Sequence, residues 1–221
     1  MDHNTVPTKQ QEFEELKLRV AQLERELSEA QTEVPWKPTE FYAAYYATTG
    51  FLLGGVAALI ALLVNMLGAP LAGRHPLELI RVYLTFPLGE KALQLATAGA
   101  KNQAVDDNLL LIFGCCLYIG TGMVLGILFQ VAIQKFAQPP TLAKRMVVGS
   151  VLAIAVWAVA FYGILSWLQP LLFGGNWIVD PNHLPIWVAV GTHLIFGWAM
   201  ALLAPLGEYT PYRRVGDTSG T

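Results

Sequence analysis

Four long stretches of the chain consist of apolar and uncharged residues. They cover residues 41–67, 109–133, 146–168 and 184–206, and none contains Asp, Glu, Lys or Arg. About 20 apolar residues in a helix cross a hydrocarbon core roughly 30 Å thick. A backbone in lipid must satisfy its own hydrogen bonds, which favours helices over open strands. The pattern predicts an all-α polytopic membrane protein with four transmembrane helices in a bundle.

A second periodicity precedes the first stretch, in residues 11–34. Apolar side chains there alternate at spacings of three and four, which is typical of a left-handed coiled coil. With the first of them at heptad position a, a parallel pair would place Glu12 opposite Lys17 of its partner. The same pairing would place Arg19 opposite Glu24. The residues predicted to form this partner or oligomer interface are Phe13, Leu16, Val20, Leu23 and Leu27.

An alternative for the same segment is a single amphipathic helix that lies on the chain's own body or on the bilayer. Lys and Arg do not dominate its polar face, which argues against the bilayer. We therefore divide the chain into a polar arm over residues 1–34, a proline-rich linker over 35–40, a membrane domain over 41–206 and a polar tail over 207–221. Proline lacks the amide proton that a helix needs, so the linker should end the arm's helix.

The loop between the first two predicted spans contains further helical pattern, over about residues 76–98. Glu78, Arg81 and Thr85 form a narrow polar stripe on an otherwise apolar segment of about ten residues. This segment is too short to span a bilayer, so we expect an interfacial or re-entrant helix packed against the bundle. Pro87 should start a second short helix, because proline is favoured at a first helical position.

Small residues recur at helical spacing within the predicted spans. Small side chains let helix backbones approach closely, which matters in lipid because packing holds the helices together. The pattern predicts a tightly packed bundle, within one chain or between copies. The glycines predicted to lie at these helix contacts are Gly50, Gly54, Gly122, Gly126, Gly149 and Gly163.

Composition supports the membrane interpretation. The chain is 54% hydrophobic and only 14% charged, against about 45–50% and 25% in soluble domains. Residues 1–40 hold 14 of the 30 charged side chains, so the body is poorer still in charge. These values exclude a disordered chain and disfavour a water-soluble globule. The chain also has no basic patch suited to nucleic acid.

The distribution of Lys and Arg predicts the orientation. Lys135, Lys144 and Arg145 flank the short loop between the second and third spans, whereas the next loop has no Lys or Arg. The first loop opposes this assignment, but its four bases are spread over some forty residues. The positive-inside rule therefore favours cytoplasmic N- and C-termini in a cell or inner membrane. No cleavable secretory signal is visible, because the N-terminus is polar for 40 residues.

His193 is the one ionisable side chain well inside a predicted span. It could bind haem, shared between copies or with Met as the second ligand, or move a proton. An interhelical hydrogen bond is the structural alternative. We predict no cofactor on balance, with His193 as the residue that would hold one.

Other reactive side chains give weaker signals. His75, Asp180 and His183 could bind zinc if their loops met, but their spacing matches no metal motif. Cys115 and Cys116 are neighbours on a helix and cannot readily form a disulfide with each other. Asp106 and Asp107 precede the second span, where acids favour the helix dipole and cap free amides.

These features predict a non-catalytic membrane scaffold, or an accessory subunit of a larger membrane assembly. Its partners would be membrane lipid and either further copies of the chain or other subunits. A channel or transporter for ions or small solutes is the first alternative, although the spans offer few polar groups, chiefly Asn65, Gln130 and His193. An electron-transfer subunit that uses His193 is the second.

Overall fold

A computed structural model describes residues 9–31, 42–95 and 105–209. The predicted linker, the polar tail beyond residue 209 and residues 32–34 of the predicted coiled-coil segment lie outside these residues. Every regular element in the described part is helical, and no strand occurs in it. The α-helices are α1 (Lys9–Gln31), α2 (Ala43–Gly68), α3 (Glu78–Leu88), α4 (Val105–Phe136), α5 (Leu142–Ala158), α6 (Ser166–Phe173) and α7 (Ile186–Leu203).

Four helical segments of the body are long and apolar enough to cross a membrane. They are Ala43–Gly68, Asp107–Phe136, Leu142–Phe173 and Ile186–Gly207. This confirms the four predicted segments, although each of them begins or ends at least one residue beyond the predicted charge-free stretch. The third begins at Leu142 rather than residue 146, because Thr141 caps the helix by accepting a hydrogen bond from the Lys144 amide at 3.4 Å. Charged residues can therefore lie in its first turn.

Helix α1 forms a compact unit separate from the body, which comprises residues 41–210. It covers Lys9–Gln31, close to the predicted 11–34. The whole described length of α1 is helical without interruption, which agrees with the absence of proline and glycine from it.

Within the body, the start of α2 and the end of α7 lie at the same end of the molecule. Tyr45 in α2 donates a hydrogen bond to the Glu208 carbonyl at 3.4 Å. The Glu208 carboxylate in turn contacts the Arg145 guanidinium in the first turn of α5. The side-chain amides of Gln130 and Gln134 both donate to the Ala204 carbonyl, at 3.2 and 3.1 Å. The hydrophobic core lies between these helices and includes Phe129, Ile133 and Met200, each at most 1% exposed.

Helix α3 packs deep inside the body. Ile80 and Leu84 pack against α2 and α4, whereas Val82 packs on the opposite side against residues that precede and begin α7. The polar stripe is buried as well: Arg81 is 6% exposed and Thr85 is fully buried. The segment therefore packs against the bundle, and its position as an interfacial or re-entrant helix stays a prediction.

The helical break after α3 also differs from the prediction. Pro87 lies inside the last turn of α3, and the helix ends at Leu88. The next residue, Gly89, has a φ of 63°, a positive value that favours glycine. A short 3₁₀ helix, Gly89–Gln94, follows and covers part of the segment that we expected to start at Pro87.

The third long segment contains a π-helix, Val159–Leu165, between α5 and α6. In a π-helix the hydrogen bonds run from residue i to i+5, so each turn contains more residues than an α-helical turn. The side chains beyond Val159 are thereby rotated relative to a straight α-helix. The π segment places Phe161 in the core cluster that contains Val82 and Ala189.

Candidate functional site

Apolar side chains form an exposed stripe along α1. The five residues predicted to form the interface are between 47% and 64% exposed: Phe13, Leu16, Val20, Leu23 and Leu27. A further leucine, Leu18, is 72% exposed but lies outside the heptad a and d positions. Large apolar side chains on a helix in water favour burial against a partner. We call these five residues the α1 stripe.

Of the two charge pairs predicted between α1 helices, the pair of Arg19 and Glu24 has no competing salt bridge among the described residues of α1. Lys17 contacts Glu14 of its own helix at 3.6 Å and lies over the Phe13 ring at 4.9 Å. In the part of the chain that the structure describes, neither Arg19 nor Glu24 forms a salt bridge. Both can therefore meet opposite charges on a neighbouring helix.

The predicted glycines of α2 and α4 meet each other. A Cβ atom added to Gly54 would lie 2.7 Å from the Gly126 Cα and would also strike the Gly122 carbonyl. A Cβ added to Gly50 would lie 2.6 Å from the Gly126 carbonyl oxygen. Real side chains do not approach so closely, so only glycine permits this separation between the two helices.

A similar contact joins α5 and α7. A Cβ on Gly149 would lie 2.7 Å from the Gly197 carbonyl oxygen. Gly163 behaves differently, because it is exposed and a Cβ there would meet only Val159 of its own helix, at 3.8 Å. Within the described body the structure therefore does not place Gly163 at a contact between helices.

A partly enclosed cavity of about 380 Å³ lies between α3, α4, the π segment and α7. Its wall is mostly apolar, and six aromatic rings contribute to it: Tyr83, Phe86, Tyr118, Phe129, Phe161 and Phe196. The lining residues Leu117, Thr121 and Ile164 are exposed at the molecular surface. The cavity therefore opens between α4 and the π segment, on an apolar flank of the body.

His193 lines this cavity about midway along α7. Its Nδ1 lies 2.8 Å from the Ala189 carbonyl oxygen, one turn earlier in the same helix. Because a carbonyl only accepts, Nδ1 must carry the proton, and in the neutral ring Nε2 is then an acceptor. The Phe161 ring packs edge-on against the imidazole, with centroids 5.9 Å apart. Among the described residues, none forms a hydrogen bond with Nε2.

Tyr83 and Thr121 form a polar pair on another part of the wall. Their hydroxyl oxygens are 2.5 Å apart, and Thr121 also donates to the Leu117 carbonyl at 3.0 Å. Tyr83 was not among the residues predicted from the sequence. Its signal was weak, because a tyrosine in a membrane protein is usually an interface anchor.

A buried hydrogen-bond network anchors the α3 wall of the cavity. Gln169, which is fully buried in α6, donates to the Thr85 hydroxyl at 2.9 Å and accepts from the Ile178 amide at 3.0 Å. Gln169 was not predicted from the sequence either, because it lies one residue beyond the predicted third span. The sequence feature that could have identified it is a glutamine next to a long apolar segment. A buried amide needs hydrogen-bond partners, so such a glutamine indicates a buried polar contact.

Asn65 is a further polar side chain of the spans that has partners within the body. Asn65 donates to the Ala61 carbonyl at 2.8 Å and accepts from Thr192 at 3.1 Å. Cys115 and Cys116 are free thiols. Asp107 lies in the first turn of α4, where its charge suits the helix dipole.

The three residues considered as zinc ligands, His75, Asp180 and His183, do not form a metal site. Among the described residues no group of three or more His, Cys, Asp or Glu side chains could hold a metal ion. His183 lies 3.8 Å from Asp180, whereas His75 accepts a hydrogen bond from the Leu77 amide at 3.1 Å. Burial, together with the positive charge of Arg81, lowers the pKa of His75, and Glu78 opposes the shift. A neutral His75 keeps Nδ1 as the acceptor that this bond requires.

A search against protein-family models, curated proteins and solved structures finds no match to this chain. The function must therefore be argued from the chain's own residues.

Proposed function

We propose that the protein is a non-catalytic, multi-pass integral membrane protein that acts as a scaffold or accessory subunit and associates with further copies of itself through α1. The observation that carries the proposal is the α1 stripe, five apolar side chains that are about half exposed. The four membrane-length helices support the membrane assignment, and the glycine contacts support their association as a bundle.

Pairing of two α1 helices in parallel is the arrangement that the residues favour. Burial of a leucine side chain stabilises an assembly by about 1.5–3 kcal/mol, and the stripe offers three leucines with a phenylalanine and a valine. An isolated helix of this length is marginal in water, so a partner would also stabilise its fold. In register, the two-fold arrangement brings each Arg19 to the Glu24 of the other chain.

The proposed orientation places both ends of the body on the cytoplasmic side. Lys135, Lys144 and Arg145 lie at the same end of the body as Tyr45 and Glu208. Basic residues beside membrane segments favour the cytoplasmic side.

The mass of the full chain in mild detergent tests the proposal. We expect the unmodified protein to be a dimer or larger oligomer, and the double variant Leu16→Glu/Leu23→Glu to be a monomer. The matched control is Leu18→Glu, which adds a charge of the same sign to the same helix outside the stripe and should leave the mass unchanged. Light scattering with detergent correction measures all three.

Two results would contradict the proposed association. One is a monomeric unmodified chain with no other protein bound to it. The other is a double variant with the oligomeric mass of the unmodified chain, because contacts in the membrane domain would then suffice for assembly.

A further inference from the structure

The cavity beside His193 has the properties of a ligand site that the proposed assembly role does not use. Its volume of about 380 Å³ lies within the range of roughly 300–1,000 Å³ that is typical of small-molecule sites. Apolar walls with a few polar groups are also typical of such sites. The site is built from separate parts of the chain, because α3, α4, the π segment and α7 each contribute to its wall.

The hydrogen-bonding state of His193 indicates the chemistry of a ligand. Nδ1–H is committed to the Ala189 carbonyl, so in the neutral ring Nε2 offers a lone pair and requires a donor. The neighbouring hydroxyls are already engaged, since Tyr83 and Thr121 bond to each other and Thr192 donates within the body. A ligand that suits this wall is therefore a hydrocarbon that carries a hydroxyl group.

The position of the opening indicates how such a ligand would enter. Leu117, Thr121 and Ile164 line the cavity and are exposed. Leu117 and Thr121 lie near the middle of a segment long enough to cross a membrane, and Ile164 lies in the second half of another. A ligand would enter from surrounding hydrocarbon rather than from water. Short π-helices occur frequently at functional sites. Here the π segment includes Phe161, whose ring packs against the imidazole.

We propose that this cavity binds a lipophilic alcohol from the membrane, with its hydroxyl donating to Nε2 of His193 and its hydrocarbon part against the aromatic wall. The binding is independent of the association through α1, so it is expected in monomers and oligomers alike. His193 is a binding residue in this proposal and performs no covalent or redox step.

Photolabelling of the purified full chain in phosphatidylcholine nanodiscs tests the proposal. The probe is hexadecanol with a diazirine in its chain, and mass spectrometry locates the labelled residues. We expect labels on cavity-lining residues of α4 and the π segment. Unlabelled hexadecanol should compete for these labels at about three- to tenfold lower concentration than its O-methyl ether, because a net hydrogen bond contributes roughly this factor to affinity.

Two variants assign the effect to the cavity. His193→Leu replaces the imidazole with an apolar side chain of similar size, and it should abolish the preference for the alcohol over the ether. Ala160→Phe enlarges a lining residue, and it should reduce labelling inside the cavity without changing the labels on lipid-facing residues such as Leu52. The comparison of alcohol with ether on the unmodified chain requires no variant, so it tests the proposal even where a variant does not fold.

The contradicting results are equally specific. Labels confined to lipid-facing positions such as Leu52 and Val151, both exposed, would overturn the site. Equal competition by the alcohol and the ether in the unmodified chain would overturn the role of the hydroxyl. A preference for the alcohol that persists in folded His193→Leu would overturn the role of Nε2.

Discussion

Single residues determine how closely the helices of the body approach. Gly54 and Gly126 face each other across α2 and α4 with no room for a Cβ on either. The consequence is extensive contact between the two backbones, which in lipid is a main source of attraction between helices. Gly120, on the same helix α4, has no such neighbour: a Cβ there would meet nothing within 4 Å.

Gly126 and Gly120 give a matched pair of substitutions. Gly126→Ala should lower the free energy of unfolding by about 1–3 kcal/mol, because overpacking forces the helices apart. Gly120→Ala should be neutral or stabilising by up to about 1 kcal/mol, since alanine favours helix and the space is open. Unfolding in detergent titrated with SDS measures both. Equal effects of the two substitutions would contradict the role of the close contact.

The spacing of small residues indicated glycines of α2 and α4 as helix-packing residues, but it did not predict which helices would pair or the position of Gly163. The extrapolation assumed one α-helical period through the third span. The π-helix at Val159–Leu165 changes the number of residues per turn, so the stripe that contains Gly149 does not continue to Gly163. No residue type in the sequence signals that change.

At the scale of the elements, α3 is held in the body by contacts on both of its faces and by the amide of Gln169. The fully buried Thr85 hydroxyl accepts from Gln169, while the Gln169 carbonyl oxygen holds the Ile178 backbone. A buried amide that loses a partner retains the cost of its desolvation. The network therefore couples α3, α6 and the loop before α7.

A double-mutant cycle measures this coupling. Thr85→Val and Gln169→Leu should each destabilise the protein by about 1–3 kcal/mol, because each leaves a buried polar group unpaired. The double variant should cost less than the sum of the two, by roughly 0.5–3 kcal/mol. Additive effects in the same SDS titration would show that the two side chains act independently and would contradict the anchoring role.

Periodicity predicts the long elements because each one has a strong, uniform pattern. The heptads indicated α1 to within about three residues at each described end, and the apolar runs indicated the four long segments of the body. Helix α3 was predicted only as a short helix. Its burial on both faces depends on contacts with α2, α4 and residues near α7, which are distant in sequence and leave no local pattern.

At the scale of the whole molecule, the chain comprises two units with different chemistry. Several polar side chains of the body form hydrogen bonds within it, as Gln134, Gln169 and Asn65 illustrate. Helix α1 instead exposes apolar side chains. We therefore propose that α1 carries the assembly role and that the body holds the ligand cavity. The sequence indicated His193 as a candidate but not the cavity, because its wall is assembled from several elements that are distant in sequence.

The central claim, that α1 pairs in parallel with another copy of itself, is tested most directly by exchanging the charges at Arg19 and Glu24. In a homotypic pair, Arg19→Glu places two acidic side chains opposite each other, and Glu24→Arg places two basic side chains opposite each other. When differently tagged chains carrying one substitution each are coexpressed, every facing pair is again of opposite sign. The predicted result is that the two variants copurify with each other more than either copurifies with itself. Equal copurification in all combinations would contradict the account.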